Sequence, residues 1–167
     1  YCEADCGKCI ICLAAGTKIA MDNNLEKNIE EIKVGDFVLS FDEKTNSLTK
    51  SKVLQTFEHD AEGYYLINNK MKVTTEHPIW ANGEWKKAGE LKAGDILMNK
   101  DKTRQLIYSI SYVQEKTKVY NLEIENTATY FADGILVHNK PIDPCQKRCE
   151  DGTIMRKLGQ KCSRIVC

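Results

Sequence analysis

The stretch "KVYNLEIENTATYFADGILVHN", Lys118 to Asn139, sets the fold and ends on two residues that no strand needs. Val119–Glu125 and Ala128–Phe131 read as strands because they are short and rich in β-branched and aromatic residues. Asp133-Gly134, between "YFA" and "ILVH", has the composition of a two-residue hairpin turn, whose centre requires positive φ. The apolar run Ile135-Leu136-Val137 then meets His138-Asn139. From Lys140-Pro141 onward the chain turns to Cys, Lys and Arg.

The same signals extend upstream. Strands are expected at Thr17–Met21, Phe37–Phe41, Lys52–Glu58, Tyr64–Asn68, Met71–Thr75, Ile96–Asn99 and Gln105–Gln114. Asn82-Gly83, between "PIWA" and "EWKK", forecasts a second tight hairpin. Leu25–Ile32 has room for one or two helical turns. An internal echo joins the halves: "EIKVGD", Glu31 to Asp36, returns 59 residues later as "ELKAGD", Glu90 to Asp95. Gly-Asp before a strand is ordinary loop chemistry. Two β-subdomains related by a pseudo-two-fold would also put the copies in equivalent corners.

Composition divides the 167 residues into three parts. Cys2, Cys6, Cys9 and Cys12 crowd the start, and Cys145, Cys149, Cys162 and Cys167 crowd the end. The 132 residues between Cys12 and Cys145 have no cysteine, so that body depends on an apolar core. The short flanks cannot build cores of their own. Lys+Arg equals Asp+Glu at 24 each, which gives no charge-based reason to expect nucleic acid or membrane as a partner. No apolar run is long enough for a membrane-spanning helix. Opening on Tyr1, the chain reads as a processed piece, and a monomer is expected. The cysteine-rich flanks favour an extracellular or cell-surface host.

Three points could carry chemistry: Cys12 in "CLAAGTKI", Thr74 and His77 in "TTEH", and His138-Asn139. Singly each has a plain reading, as a disulfide half, a loop histidine and a strand-end cap. Together they bracket the body with a nucleophile at one end and a His-Asn pair at the other. Over Cys12–Asn139 the sequence resembles the Hint (hedgehog/intein) family, and within it inteins and bacterial intein-like domains. "CLAAGTKI" resembles the opening block, "MKVTTEHPIWANGEWKKAGELKAGDIL" the Thr-x-x-His block, and "KVYNLEIENTATYFADGILVHN" the closing block.

The resemblance implies an all-β, pseudo-two-fold horseshoe, here with short cysteine-rich flanks. It divides the chain into an N-terminal flank 1–11, a self-processing domain 12–139 and a C-terminal flank 140–167. It gives Cys12 the attack on the carbonyl of Ile11, making a thioester. A thiol suits this step as a strong nucleophile that is part thiolate near neutral pH. Thr74 and His77 are implied at the scissile amide, with His77 protonating the leaving amine. Asn139 closes a succinimide on its own carbonyl and breaks the bond to Lys140, assisted by His138. No cofactor or metal is implied. The substrates are the chain's own flanks, with an external nucleophile as a further acceptor for the thioester. About 128 residues leave no room for an inserted endonuclease domain.

Two positions depart from the family pattern. Lys140 stands where splicing inteins carry Cys, Ser or Thr, so cleavage is expected over ligation. Asn121 stands where the family often has Asp, so weaker coupling of the two steps is expected. Cys9 and Cys12 in "CIIC" have the spacing of a small disulfide loop, which would mask the nucleophile until reduction. Pairing of Cys9 elsewhere in the flanks, with Cys12 always free, is equally open. Competing readings are a hedgehog-type module transferring its thioester to an alcohol, a non-catalytic disulfide-rich secreted module, and a zinc site built on Cys6, Cys9 and Cys12.

Overall fold

The computed structural model describes residues 11–140. They fold into fifteen strands: β1 Leu13–Ala14, β2 Lys18–Ala20, β3 Glu26–Asn28, β4 Phe37–Asp42, β5 Ser47–Ala61, β6 Tyr64–Ile67, β7 Met71–Val73, β8 Pro78–Ala81, β9 Glu84–Lys87, β10 Ile96–Met98, β11 Arg104–Leu106, β12 Ile110–Val113, β13 Thr117–Ile124, β14 Thr129–Ala132 and β15 Ile135–His138. All pairings are antiparallel. One sheet runs β12-β6-β7-β1-β13-β5-β4. The other runs β11-β10-β8-β15-β14-β2-β3, with β9 on β8. No helix among the described residues is long and apolar enough to cross a membrane.

Both expected hairpins form. Asn82 and Gly83 have φ of 54° and 80°, and Asp133 and Gly134 have 49° and 82°. Each pair closes its ladder, Ala81 against Glu84 and Ala132 against Ile135. Positive φ at both centres matches the right-handed twist of the flanking strands. β14 is buried at every position, and β15 at all but His138. That is why "TYFA" and "ILV" run apolar without alternation.

The echo is a structural repeat. Asp36 Oδ2 accepts the Lys33 N–H at 3.0 Å, and Asp95 Oδ2 accepts the Lys92 N–H at 3.0 Å. Gly35 N–H donates to Val53 O, and Gly94 N–H to Ile107 O, both at 2.8 Å. Upstream of each copy lies a short 3-10 turn, Ile29–Glu31 and Ala88–Glu90, whose first N–H bonds Thr17 O and His77 O respectively. By this pattern β2 corresponds to β8, β3 to β9, and β1 to β7. The last pair meet at the middle of their sheet.

Two expectations are corrected. Leu25–Ile32 is not α-helical but strand β3 followed by a 3-10 turn, its polar strand residues pairing with β2. Gln105–Gln114 is not one strand. β11 pairs with β10 in one sheet, and β12 pairs with β6 in the other. The break is held by Asn68, whose Oδ1 accepts the N–H groups of Tyr108 (2.8 Å) and Ser109 (3.2 Å) while Nδ2 donates to Leu106 O (3.0 Å). A side chain thus takes the backbone groups a continuous ladder would have used. Its counterpart β5 does run through unbroken, pairing with β4 and then with β13. The core between the sheets includes Leu13, Ile19, Val73, Ile79, Leu122 and Val137.

Candidate active site

β1 lies between β7 and β13, with Leu13 opposite both Val73 and Tyr120. Cys12 is therefore anchored at the centre of a sheet, where it packs with Ala61 and Val119 and is 1% exposed. Its N–H, the nitrogen of the Ile11–Cys12 bond, donates to Thr74 Oγ1 at 3.0 Å. Thr74 N–H and Oγ1–H donate in turn to Cys12 O, at 3.0 and 3.2 Å. The thiol is free. Of the two readings left open for Cys12, this is the one with a free thiol, and Cys9, the partner in the other, lies outside the described residues. Burial pushes the Cys12 pKa up to about 12. The expectation of a partial thiolate at neutral pH is corrected accordingly: an apolar packing shell disfavours the charged form.

His77 sits at the foot of the turn after β7, its N–H on Thr74 O at 3.2 Å. The ring is fully buried, and neither nitrogen bonds another protein group. Burial, then the charge of His138, pushes its pKa down to about 3, against opposing pulls from the backbones of Cys12 and His138. His77 thus senses both ends of the domain. Glu76 beside it is buried and paired with Lys87 at 3.3 Å.

β15 carries His138 to the same region. Its Nδ1 accepts the Lys140 N–H at 3.1 Å, and its ring meets Trp85 edge-on at 5.0 Å. Burial pushes its pKa down to about 4, with the Lys140 charge acting the same way. Asn139 N–H bonds Ala128 O at 2.9 Å, but its side-chain carboxamide is buried and bonds no protein group. Asn121, on β13, donates from Nδ2 to the Asn139 carbonyl at 2.9 Å. Its Oδ1 accepts the Leu122 N–H at 2.8 Å and the Tyr130 hydroxyl at 2.7 Å. Sequence reasoning missed Tyr130, fully buried on β14. The one available signal was a hydroxyl inside an otherwise apolar strand, which requires a partner.

Of the expected site residues, Ile11, Cys12, Thr74, His77, Asn121 and Asn139 are buried, His138 is half-buried beside them, and Lys140 is exposed. Cys6 and Cys9 of the zinc reading lie outside the described residues. Among those described, no group of three His, Cys, Asp or Glu could hold a metal.

Residues 21–140 match the family model described as the pretoxin HINT domain. The chain belongs to this Hint family. It is similar to the solution structure of a bacterial intein-like domain from Clostridium thermocellum, at 26% identity and a TM-score of 0.72, covering 78% of this chain and 99% of that one. It is similar in fold to a DnaB intein from Synechocystis sp. PCC 6803 (19% identity, TM-score 0.69, 78% and 99% covered). The gp41-1 intein is comparable (24%, TM-score 0.64, 78% and 99%). No curated protein matches the chain. The Hint horseshoe explains why β1 and β15, at opposite ends of the domain, meet at one site.

The two buried histidines of this Hint domain give it a pH signature. An unfolded histidine takes a proton below about pH 6.5. The folded His77 does so only near 3, and His138 only near 4. Between those limits the unfolded chain binds more protons, so stability falls as pH drops from about 6.5 toward 3. For His77 alone the loss is on the order of a few kcal/mol. Urea midpoints at pH 7.5 and 4.5 check this. The midpoint should drop at pH 4.5, and His77→Gln should flatten the difference.

Proposed function

We propose that this Hint domain cuts itself from its two flanks through separate reactions at its ends. The observation that supports this best is the state of Asn139. Its carbonyl is held by Asn121, while its own carboxamide is buried and bonds no protein group. Because that carboxamide bonds no protein group, no hydrogen bond has to break before Nδ2 can turn toward its own carbonyl.

At the first junction, Cys12 Sγ attacks the Ile11 carbonyl. The C–N bond breaks, the acyl group moves to sulfur, and the thiol proton ends on the Cys12 amine. The thiol starts protonated, so the attack needs an acceptor for that proton. Neutral His77 supplies a lone pair for it and then the proton for the leaving nitrogen. Thr74 fixes the scissile N–H. At the second junction, Asn139 Nδ2 attacks the Asn139 carbonyl carbon and forms a succinimide. The bond to Lys140 breaks, and the Lys140 nitrogen takes the proton that Nδ2 loses. His138, already bonded to that N–H, lies where the proton must travel.

Only asparagine carries a neutral nitrogen at the distance that closes a five-membered ring. Lys140 offers no hydroxyl or thiol to accept the acyl group, so the products are cleaved flanks rather than ligated ones. The name of the matched family, pretoxin, fits a precursor that frees a segment, and here that segment would be 140–167.

Intact mass followed over time, with and without dithiothreitol, tests the reading. It expects loss of the Lys140–Cys167 peptide, with a remaining mass lower by the matching amount. It also expects dithiothreitol-dependent loss of residues 1–11. A chain that keeps its full mass under both conditions would overturn it.

A further inference from the structure

By residue type alone, Asn121 is a weakened version of an acidic residue. The hydrogen bonds around it give it a different role. Its orientation is fixed by its neighbours. Leu122 N–H can only donate, so the atom facing it must be the carboxamide oxygen. The Tyr130 hydroxyl donates to that same oxygen. The Nδ2 amine is therefore left to face the Asn139 carbonyl oxygen, a pure acceptor, at 2.9 Å. Reversing the carboxamide would set donor against donor at Leu122 and acceptor against acceptor at Asn139.

The frame is rigid. β13 carries Asn121 one position beyond Tyr120, whose register partner is Leu13, so Asn121 stands across from Cys12 at the centre of the sheet. Both Asn121 and Tyr130 are buried.

We propose that Asn121 is a catalytic residue of the C-terminal cleavage, its carboxamide N–H stabilising the oxyanion that forms when Asn139 cyclises, so that this cleavage runs without the thioester step. The inference rests on the asparagine cyclisation set out above. As Nδ2 of Asn139 adds to its own carbonyl, the carbonyl π electrons move to the oxygen. That negative charge develops against a donor already in place. Collapse of the intermediate returns the electron pair, expels the Lys140 nitrogen, and leaves a succinimide and a free amine. An aspartate at position 121 would keep the bonds to Leu122 and Tyr130. It would also turn a second anionic oxygen toward the developing charge. Asparagine here is thus suited to a reaction that needs no signal from the other junction.

The test uses the full 167-residue chain carrying Cys12→Ala, in which no thioester can form, as the parent. Release of the Lys140–Cys167 peptide is followed by intact mass. The parent should release it. Adding Asn121→Ala or Asn121→Asp should slow release about 10²–10³-fold at pH 7.5, the usual loss for one oxyanion donor. Asn121→Asp is isosteric and carries a second readout. Once protonated, its carboxyl can donate a hydrogen bond, so its rate relative to the parent should rise as the pH falls toward 5. A residue acting only through structure would give no such recovery. Release by Asn121→Asp within about threefold of the parent, or a ratio flat with pH, would overturn the assignment. A silent parent beside a wild-type chain that releases the peptide would overturn the independence from the thioester step, and with it this proposal, while release by neither chain would overturn the asparagine cyclisation itself.

Discussion

Cys12→Ala should abolish thiol-dependent loss of residues 1–11 and leave release of the Lys140–Cys167 peptide in place, while Asn139→Ala should do the reverse. Each residue supplies the attacking atom for one bond and no atom for the other. Deleting a nucleophile leaves only attack by water on a resonance-stabilised amide, so each loss should be complete on a scale of days. The substitutions also differ in structural cost. Cys12 packs with Ala61 and Val119, and truncation to Ala removes one sulfur from a small apolar cluster. Asn139→Ala removes a buried carboxamide that bonds no protein group, so the fold should be unharmed or slightly stabilised. Mass spectra of the two variants, with thermal midpoints beside them, check both statements. Release of the C-terminal peptide by Asn139→Ala at the wild-type rate would remove the asparagine from its role.

His77→Ala should slow thiol-dependent cleavage at Ile11–Cys12 by about 10²–10⁴-fold, the ordinary worth of a placed general acid–base. Burial holds the Cys12 thiol protonated and the His77 imidazole neutral, and in the proposed mechanism that imidazole takes the proton and returns it to nitrogen. His77→Gln keeps the volume and a hydrogen-bonding end but cannot shuttle a proton. It should be as slow as His77→Ala while melting closer to wild type. Rates of dithiothreitol-induced cleavage, measured on chains shown to be folded, decide the point. A His77→Gln rate within tenfold of wild type would place the proton transfer elsewhere.

The residues of the candidate site were legible because the chemistry proposed for them admits few alternatives. A cysteine opening the body supplies a nucleophile for one junction, and an asparagine closing it supplies a ring-forming nitrogen for the other. The two hairpins were legible for a similar reason, since Asn82-Gly83 and Asp133-Gly134 satisfy a backbone requirement that few residue pairs meet. What stayed hidden depends on groups far apart in the chain. The break after Leu106 is imposed by Asn68, and nothing within Gln105–Gln114 announces it. The burial of Cys12 comes from β7 and β13 on either side of it, so a local reading expected an ordinary, partly ionised thiol. The role of Asn121 depends on which of its atoms Leu122 and Tyr130 claim. A comparison of residue types saw only a missing carboxylate.

Chain ends in most domains fray, and fraying opens the adjacent residues long before the whole molecule unfolds. The ends of this domain are not built that way. β1 is the fourth of seven strands in its sheet, flanked on both sides, and β15 lies between β8 and β14 in the other. Neither can peel away as an edge strand does. To expose Cys12 or Asn139 to solvent, ladders on both sides must come apart, which approaches global unfolding in cost. Cys12 and Asn139 therefore stay sheltered from bulk water for as long as the domain is folded. On the proposed cleavages the same arrangement would hold after the bonds are cut, and the spent domain would keep its new amino terminus and its succinimide clasped inside.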